Sequence, residues 1–496
     1  MLFNSLIFLY LFLPLCLILL FLSPERLKNP LLLMASLLFY AWGGMAFLGV
    51  LCCSILLNYA AGILIGNTAN HQKARVWFVL GISLNLLLLV IFKYALFLVN
   101  NVNLVLDQLG THSLVIKEIM LPLGISFYTF KGISYLITVK RREAPAQHNV
   151  ITLSLYLAFF PELIAGPIDR YGYLEPRIRE RSTTFAQFSS GVRRFALGLL
   201  KKVIISAPLA YVADHVFNNP AETISWPVAW LGAISYTLQI YYDFSGYTDM
   251  AIGLGRMMGF ELSENFNFPY ISRSIGEFWK RWHMTLSTWL RDYLFLPIAY
   301  TTSRKLKHER YYGVRVDQLI YVYATLITFL ICGFWHGAAW NFVVWGLLHG
   351  VMLSLEHTKF GKWLAKTYRP MQHLYVLLFL VLSLVFFRAS SLPAAFAFLG
   401  VMSGFTGQPV VWMKFFEFFD LEFILIGTIA ILGATPFFPA FLGKLEKLTA
   451  PANDACLSLK EHGRGIISLL SLLLILLLAT MAMISSTNTP FIYFKF

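Results

Sequence analysis

Apolar runs of membrane-spanning length recur from one end of this sequence to the other, and no other feature limits its fold as strongly. Helical segments of roughly 20 predominantly apolar residues cross a hydrocarbon core. Such runs are clearest at 6–22, within 31–65, and at 76–99, 120–137, 319–334, 343–355, 374–387, 423–437 and 466–483. Several are short of a full span, and the pattern predicts about ten to twelve crossings. Composition points the same way: 58% of 496 residues are hydrophobic, 13% are charged, and mean hydropathy is +0.67. A soluble globule of this composition would leave apolar surface in water. The expected fold is therefore an all-α polytopic membrane protein.

The first run is read as a retained helix. Its leader "MLFNS" has no Lys or Arg, no small-residue cleavage site follows, and further runs come directly after it. Five cysteines build no disulfide framework in a chain this long, and Cys52 and Cys53 sit inside an apolar run where small soft side chains pack. No repeat of 20–50 residues is visible, so residues 1–496 are treated as one integral-membrane domain.

Lys and Arg total 39 against 25 Asp and Glu. The excess gathers at the ends of spans, in "HQKAR" (71–75), "VKRRE" (139–143) and "RKLKHER" (304–310). Short basic loops stay in the cytoplasm, which makes these three the cytoplasmic anchors. Nucleic acid is not the expected partner, because the basic groups are divided among short loops without interleaved aromatics. Anionic lipid headgroups account for them, and a polyanionic cosubstrate such as coenzyme A could use a subset.

Residues 158–300 mix aromatics, Pro, Gly and ionisable groups too densely for lipid-facing spans. Non-helical backbone at membrane depth must be shielded by protein or line a wet cavity, which predicts short re-entrant or interfacial helices within a ring of longer spans. In "FFPELIAGPIDRYGYLEPRI" (159–178), Pro161, Gly166 and Pro167 break the chain, and the polar tail reads as a solvated loop or the entrance to a site. In "LQIYYDFSGYTDMAIGLGRMMGF" (238–260), Asp243 and Asp249 need partners at membrane depth, as helix caps or as holders of Arg groups. The glycines 253, 255 and 259 permit close helix contact or a turn but do not form a phosphate-binding loop.

The stretch 270–298 reads as one or two amphipathic helices, with Lys280, His283, Ser287 and Arg291 on one side and Phe278, Trp282, Leu286 and Leu290 on another. His283 is either an interfacial or helix-packing imidazole or, with Glu277, Lys280 and Arg281 within two turns to orient the ring or meet an anionic substrate, a functional residue.

His336 lies in "LICGFWHGAAWNFVVWGLLHG" (330–350), far from headgroups unless the backbone breaks at Gly333 or Gly337. An ionisable group at that depth faces the protein interior or a cavity and marks a candidate site. A buried neutral imidazole can accept a proton, as a general base must; the alternative is a helix-packing ring bonded to a carbonyl. Cys332 shares its helical face, but two ligands do not make a metal site. His349 reads as a packing or interfacial residue. No nucleophile elbow, H-E-x-x-H or P-loop is present. A buried base acting between two bound substrates suits acyl transfer to an alcohol.

Six ordered stretches between Asn29 and Gly350 carry a resemblance: "NPLLLMASLLFYAWG", "LPLGISFYTFKGISYLI", "FFPELIAGPIDRY", "YDFSGYTDMAIGLGRMMGF", "NFNFPYISRSIGEFWKRWHMTLSTWLRDYLFLPI" and "GFWHGAAWNFVVWGLLHG". They resemble the membrane-bound O-acyltransferase family, in its bacterial polysaccharide O-acetylase branch, most specifically over 158–350. The resemblance implies that the family's buried histidine falls on His336 and its second polar position on His283. It implies a helical ring around a thin centre in the bacterial inner membrane, and an acetyl donor, acetyl-CoA, entering from the cytoplasm. The implied product is O-acetylation of a secreted polysaccharide such as alginate, with a periplasmic serine-hydrolase-like acetyltransferase and exopolysaccharide biosynthesis proteins as partners. No metal or permanently bound cofactor is implied. D-alanyl transfer to a cell-wall polymer, a transporter with inverted repeats, and a non-catalytic scaffold of an exopolysaccharide machine are the competing readings.

Overall fold

A computed structural model describes residues 1–485 except 118, 312, 406, 408, 411 and 449–453, and does not cover the side chains of 414, 445–448, 454–462 and 464. Among the described residues the chain is all-α, apart from a two-residue antiparallel hairpin, Arg310–Tyr311 against Val314–Arg315. The helices that build the centre are α1 (His71–Gln108), α2 (Ile125–Lys140), α3 (Phe185–Asn218), α4 (Trp226–Met257), α5 (Val316–His336), α6 (Trp340–Glu356) and α7 (Arg369–Arg388).

Six described helices are long and apolar enough to cross a membrane: Met45–Gly66, α1, α3, α5, α7 and Gly465–Ser485. A seventh arises if Leu421–Gly433 and Phe437–Lys444, bent by 78°, form one broken span. The chain is thus a multi-pass membrane protein with fewer full-length spans than the predicted ten to twelve. The shortfall is one of length. The runs at 120–137 and 343–355 become α2, 16 residues, and α6, 17 residues, both shorter than the roughly 20 residues that a hydrocarbon core requires.

The middle of the chain corrects the expectation of short pieces throughout. Residues 150–179 do form short helices, Val150–Ala158, Phe160–Leu163 and Tyr171–Arg179. Residues 185–257, in contrast, are the long pair α3 and α4. Gln239 to Gly255 of α4 are all buried, so the helix is wrapped by protein and its polar side chains are answered within the fold. Asp243 pairs with Lys202; Asp249 pairs with Arg194 and with Lys201, both at 2.7 Å. Asp249 holds an arginine as expected, Asp243 holds a lysine, and both lie inside α4 and not at its cap. Close contact at the glycines is realised: a Cβ on Gly253 would lie 2.7 Å from the Gly191 carbonyl oxygen, and one on Gly246 2.8 Å from that of Gly198.

Residues 152–169 are buried without interruption, which excludes a solvated loop there. Lys131 Nζ donates to Glu162 at 2.7 Å, and Asp169 accepts from the Ser263 amide at 3.2 Å. Within this stretch Ile164 lines a small cavity shared with His336, and the tail from Arg170 lines a larger one.

Candidate active site

Helix α5 begins just after the basic segment 304–310 and advances about 31 Å over its 21 residues. It ends on His336, because Gly337 turns extended (φ −158°, ψ 147°). The predicted break is therefore at Gly337. A side chain there would strike the Phe342 ring. Helix α6 then folds back along α5, bringing Trp345 over the helix end. The His336 ring is 5% exposed and is walled by Trp335, Trp345 and Phe387, with ring centroids 4.7, 5.1 and 5.2 Å away.

The last carbonyls of a helix lack intrahelical donors, and here α1 supplies them. Lys93 Nζ donates to the carbonyls of Trp335 (2.6 Å) and His336 (3.0 Å), and the Tyr94 hydroxyl to that of Phe334 (3.1 Å). Both donors belong to a π-helical turn, Val90–Tyr94, within α1.

His283 is placed differently from the predicted amphipathic face. The segment is not one periodic helix: Ile275–Trp279 ends, His283 takes a left-handed conformation (φ 43°, ψ 53°), and Met284–Leu290 starts from it. The residue is fully buried, so the ring packs inside the protein and not against headgroups or water. Asn265 Oδ1 accepts from the Thr285 amide (3.2 Å) and hydroxyl (2.9 Å) and lies 3.1 Å from His283 Nδ1. Because the Thr285 amide can only donate, the shared oxygen is an acceptor, and His283 Nδ1 must carry the proton. Nε2 is left as a buried lone pair with no hydrogen-bond partner among the described residues. Glu277 does not orient this ring; it pairs with Arg281 at 2.9 Å instead.

The structure brings His283, Lys93 and His349 within electrostatic range of the His336 ring. His349 is a packing residue, as read: Trp279 Nε1 donates to its Nδ1 at 3.2 Å, and Ser383 Oγ lies 3.4 Å from its Nε2. Among the described residues no three His, Cys, Asp or Glu side chains gather as metal ligands would.

Cavities lie at both ends of this centre. One of about 640 Å³ is lined by Arg141, Arg170, Asp292, Tyr293 and Tyr300. It sits near the start of α5, since Phe295 and Tyr321 are ring neighbours at 5.8 Å. Arg141 and Arg170 lie over the Tyr293 ring at 5.7 and 5.6 Å. Burial alone would raise the Asp292 carboxyl, but Arg291 and Arg170 outweigh it and hold the group below its ordinary value. A second cavity of about 420 Å³ opens at the other end of α5, against Gly337, Asn341, Asp214, Gln239 and Arg388. A column of aromatic rings runs from the first toward His336: Tyr293 to Trp289 (5.2 Å), Trp289 to Phe130 (3.9 Å, stacked), Phe130 to Trp335 (5.1 Å, stacked) and Trp335 to His336.

Lys93 and Asn265 were missed in the sequence. Lys93 had a usable signal, as a lone ammonium within "LLLLVIFKYALFLV", where a charge at membrane depth marks a site by default. Asn265 had none.

The membrane-bound O-acyltransferase family model matches residues 74–393, which contain both histidines. The chain belongs to the membrane-bound O-acyltransferase family. It is 43% identical over 406 residues to the "probable alginate O-acetylase" of Azotobacter vinelandii, covering 82% of this chain and 78% of that one. A protein of the same description in Pseudomonas putida is 38% identical over the full length of both chains. The peptidoglycan O-acetyltransferase of Helicobacter pylori is 36% identical, over 82% of this chain and 80% of its own. This protein is accordingly a membrane-bound O-acyltransferase.

Proposed function

We propose that this acyltransferase moves acetyl groups from acetyl-CoA in the cytoplasm across the bacterial inner membrane, for O-acetylation of a secreted polysaccharide such as alginate. The observation that carries the reading is the placement of His336 and His283. Two buried histidines, 53 residues apart in sequence, lie within electrostatic range of one another, with a cavity toward each end of the helix that bears His336.

The donor enters the cavity beside the basic segments 139–143 and 304–310, where exposed Lys and Arg meet the coenzyme phosphates. The four charges of Arg141, Arg170, Glu143 and Asp292 at that cavity cancel, so the phosphates bind at the surrounding loops and the pantetheine arm follows the aromatic column inward. The acceptor hydroxyl arrives from the cavity at Gly337 and Arg388. His336 takes its proton as the oxygen attacks the thioester carbon, and the C–S bond breaks to release the coenzyme thiol, which regains that proton. His283, with Nε2 as an acceptor, orients the hydroxyl. The immediate acceptor is a hydroxyl of a periplasmic serine-hydrolase-like partner, which passes the acetyl group on within an exopolysaccharide machine. The resemblance of the motifs and the names of the relatives support the polymer class.

The test is acetyl transfer by purified protein with acetyl-CoA, the partner and an acceptor. A positioned base is worth ~10²–10⁴-fold, so His336→Ala loses at least that much turnover while coenzyme binding changes far less. His336→Gln restores a hydrogen bond without basicity and does not rescue. Full turnover by folded His336→Ala refutes the base; joint loss of binding and turnover makes His336 a binding or packing residue.

A further inference from the structure

The Lys93 ammonium carries three N–H donors. Two are taken by the Trp335 and His336 carbonyls, at 2.6 and 3.0 Å. Lys93 also lies 5.8 Å from the Trp335 ring centre. These contacts hold a cation at the negative end of the α5 dipole and leave one donor. Lys93 and His336 line the same small cavity, about 90 Å³, together with Ser126, Gly124 and Ile164. Pockets for whole small molecules occupy ~300–1,000 Å³, so this one has room for the acyl end of a donor and not for the coenzyme.

A chain of this composition gains nothing from a lone ammonium inside α1 as a span. Capping alone would be served by a neutral donor, as Tyr94 serves Phe334. The cavity gives the charge a further use. Resting on the acetyl-thioester reading above, we infer that Lys93 is a catalytic residue that receives the negative charge forming on the acyl carbonyl oxygen. In this step the imidazole of His336 takes the hydroxyl proton, the hydroxyl oxygen bonds to the carbonyl carbon, and the carbonyl π pair moves to oxygen. The third N–H of Lys93 donates to that oxyanion. Collapse restores the C=O bond and expels the thiolate, which takes the proton from the imidazolium; Lys93 keeps its own protons throughout. The same side chain thus fixes the backbone of the base and stabilises the charge that the base creates, in a site where water cannot compete.

The experiment compares wild type, Lys93→Gln and Lys93→Arg in full-length protein, with acetyl-CoA and fluoroacetyl-CoA as donors. Gln keeps N–H donors for the two carbonyls but no charge, which preserves the helix cap. Loss of an oxyanion donor costs ~10²–10³-fold in kcat, so Lys93→Gln shows that loss with KM nearly unchanged, and Lys93→Arg recovers part of it. Fluorine stabilises the oxyanion intrinsically, so the deficit of Lys93→Gln shrinks with the fluoroacetyl donor; a purely structural role would leave it equal for both. Wild-type kcat in Lys93→Gln, or an equal deficit with the two donors, overturns the inference. Absence of thioester transfer by wild type overturns the donor reading as well, so the two failures are told apart by the wild-type control.

Discussion

Lys131 and Glu162 form an ion pair at 2.7 Å whose side chains are 2% and 0% exposed. Lys131 follows Phe130 of the aromatic column, and Glu162 precedes Ile164 at the small cavity beside His336. Replacing Lys131 by Met keeps the volume of the stem but leaves a carboxylate buried without its cation. Breaking a buried pair from one side costs ~3–5 kcal/mol, whereas removing both charges is often neutral. Lys131→Met is therefore expected to melt earlier by on the order of 5 °C, and Lys131→Met/Glu162→Leu to recover most of the loss. Unfolding can be followed in detergent with a thiol-reactive fluorophore, because Cys332 is fully buried and Cys16 is 8% exposed. Cys52, Cys53 and Cys456 would first be replaced by Ala. A single variant that melts with wild type, or a double variant no more stable than the single, would refute the assignment of this contact as a charge-compensating pair.

His283→Ala is expected to reduce acetyl transfer in folded protein, with His283→Asn milder because it keeps a hydrogen-bonding group; equal, near-wild-type turnover in both leaves His283 as packing only. Gly253→Ala places a methyl group 2.5 Å from the Phe195 amide nitrogen, so α3 and α4 must separate at a cost of ~1–3 kcal/mol, read as a lower melting temperature; an unchanged melt means that the contact relaxes freely. Ser303→Cys, exposed beside the basic segment 304–310, should resist an impermeant thiol reagent in intact cells and react after permeabilisation, and ready labelling from outside inverts the sidedness assumed for the donor.

What could be read from the sequence, and what could not, follows the range of the interactions. Six of the apolar spans, the burial of His336 and the close approach at Gly253 rest on local patterns, and these appear in the structure. The 32-residue length of α4 was hidden because its aromatics, glycines and ionisable residues, Asp243 and Asp249 among them, read as short helices. Their partners Lys202, Arg194 and Lys201 lie 41 to 55 residues earlier, and only tertiary pairing makes a continuous helix tolerable there. The turn at His283 was hidden for a different reason. A left-handed non-glycine residue has no periodic signature, and the 100° spacing that aligned His283 with Lys280 and Ser287 lost its meaning once the helix restarted. The cap on α5 joins residues 242 and 243 positions apart, beyond any window of sequence. The catalytic roles themselves came from family resemblance and the chemistry of a buried imidazole.

The paired charges of α3 and α4 also bear on how the chain enters the bilayer during synthesis. Asp, Lys and Arg each oppose insertion of an isolated helix by ~2.5–3.5 kcal/mol near its centre. Helix α4 carries Asp243 and Asp249 and is not among the helices that qualify as spans by length and composition, so it is a poor candidate for lateral release by itself. Helix α3 emerges first, bearing Lys201, Lys202 and Arg194. Held until α4 follows, the two can leave the insertion machinery as a hairpin in which both aspartates are already paired. The order of helices in the gene then acts as an assembly instruction, and a mutation at Lys202 would first be felt as failed delivery to the membrane, before any question of activity arises.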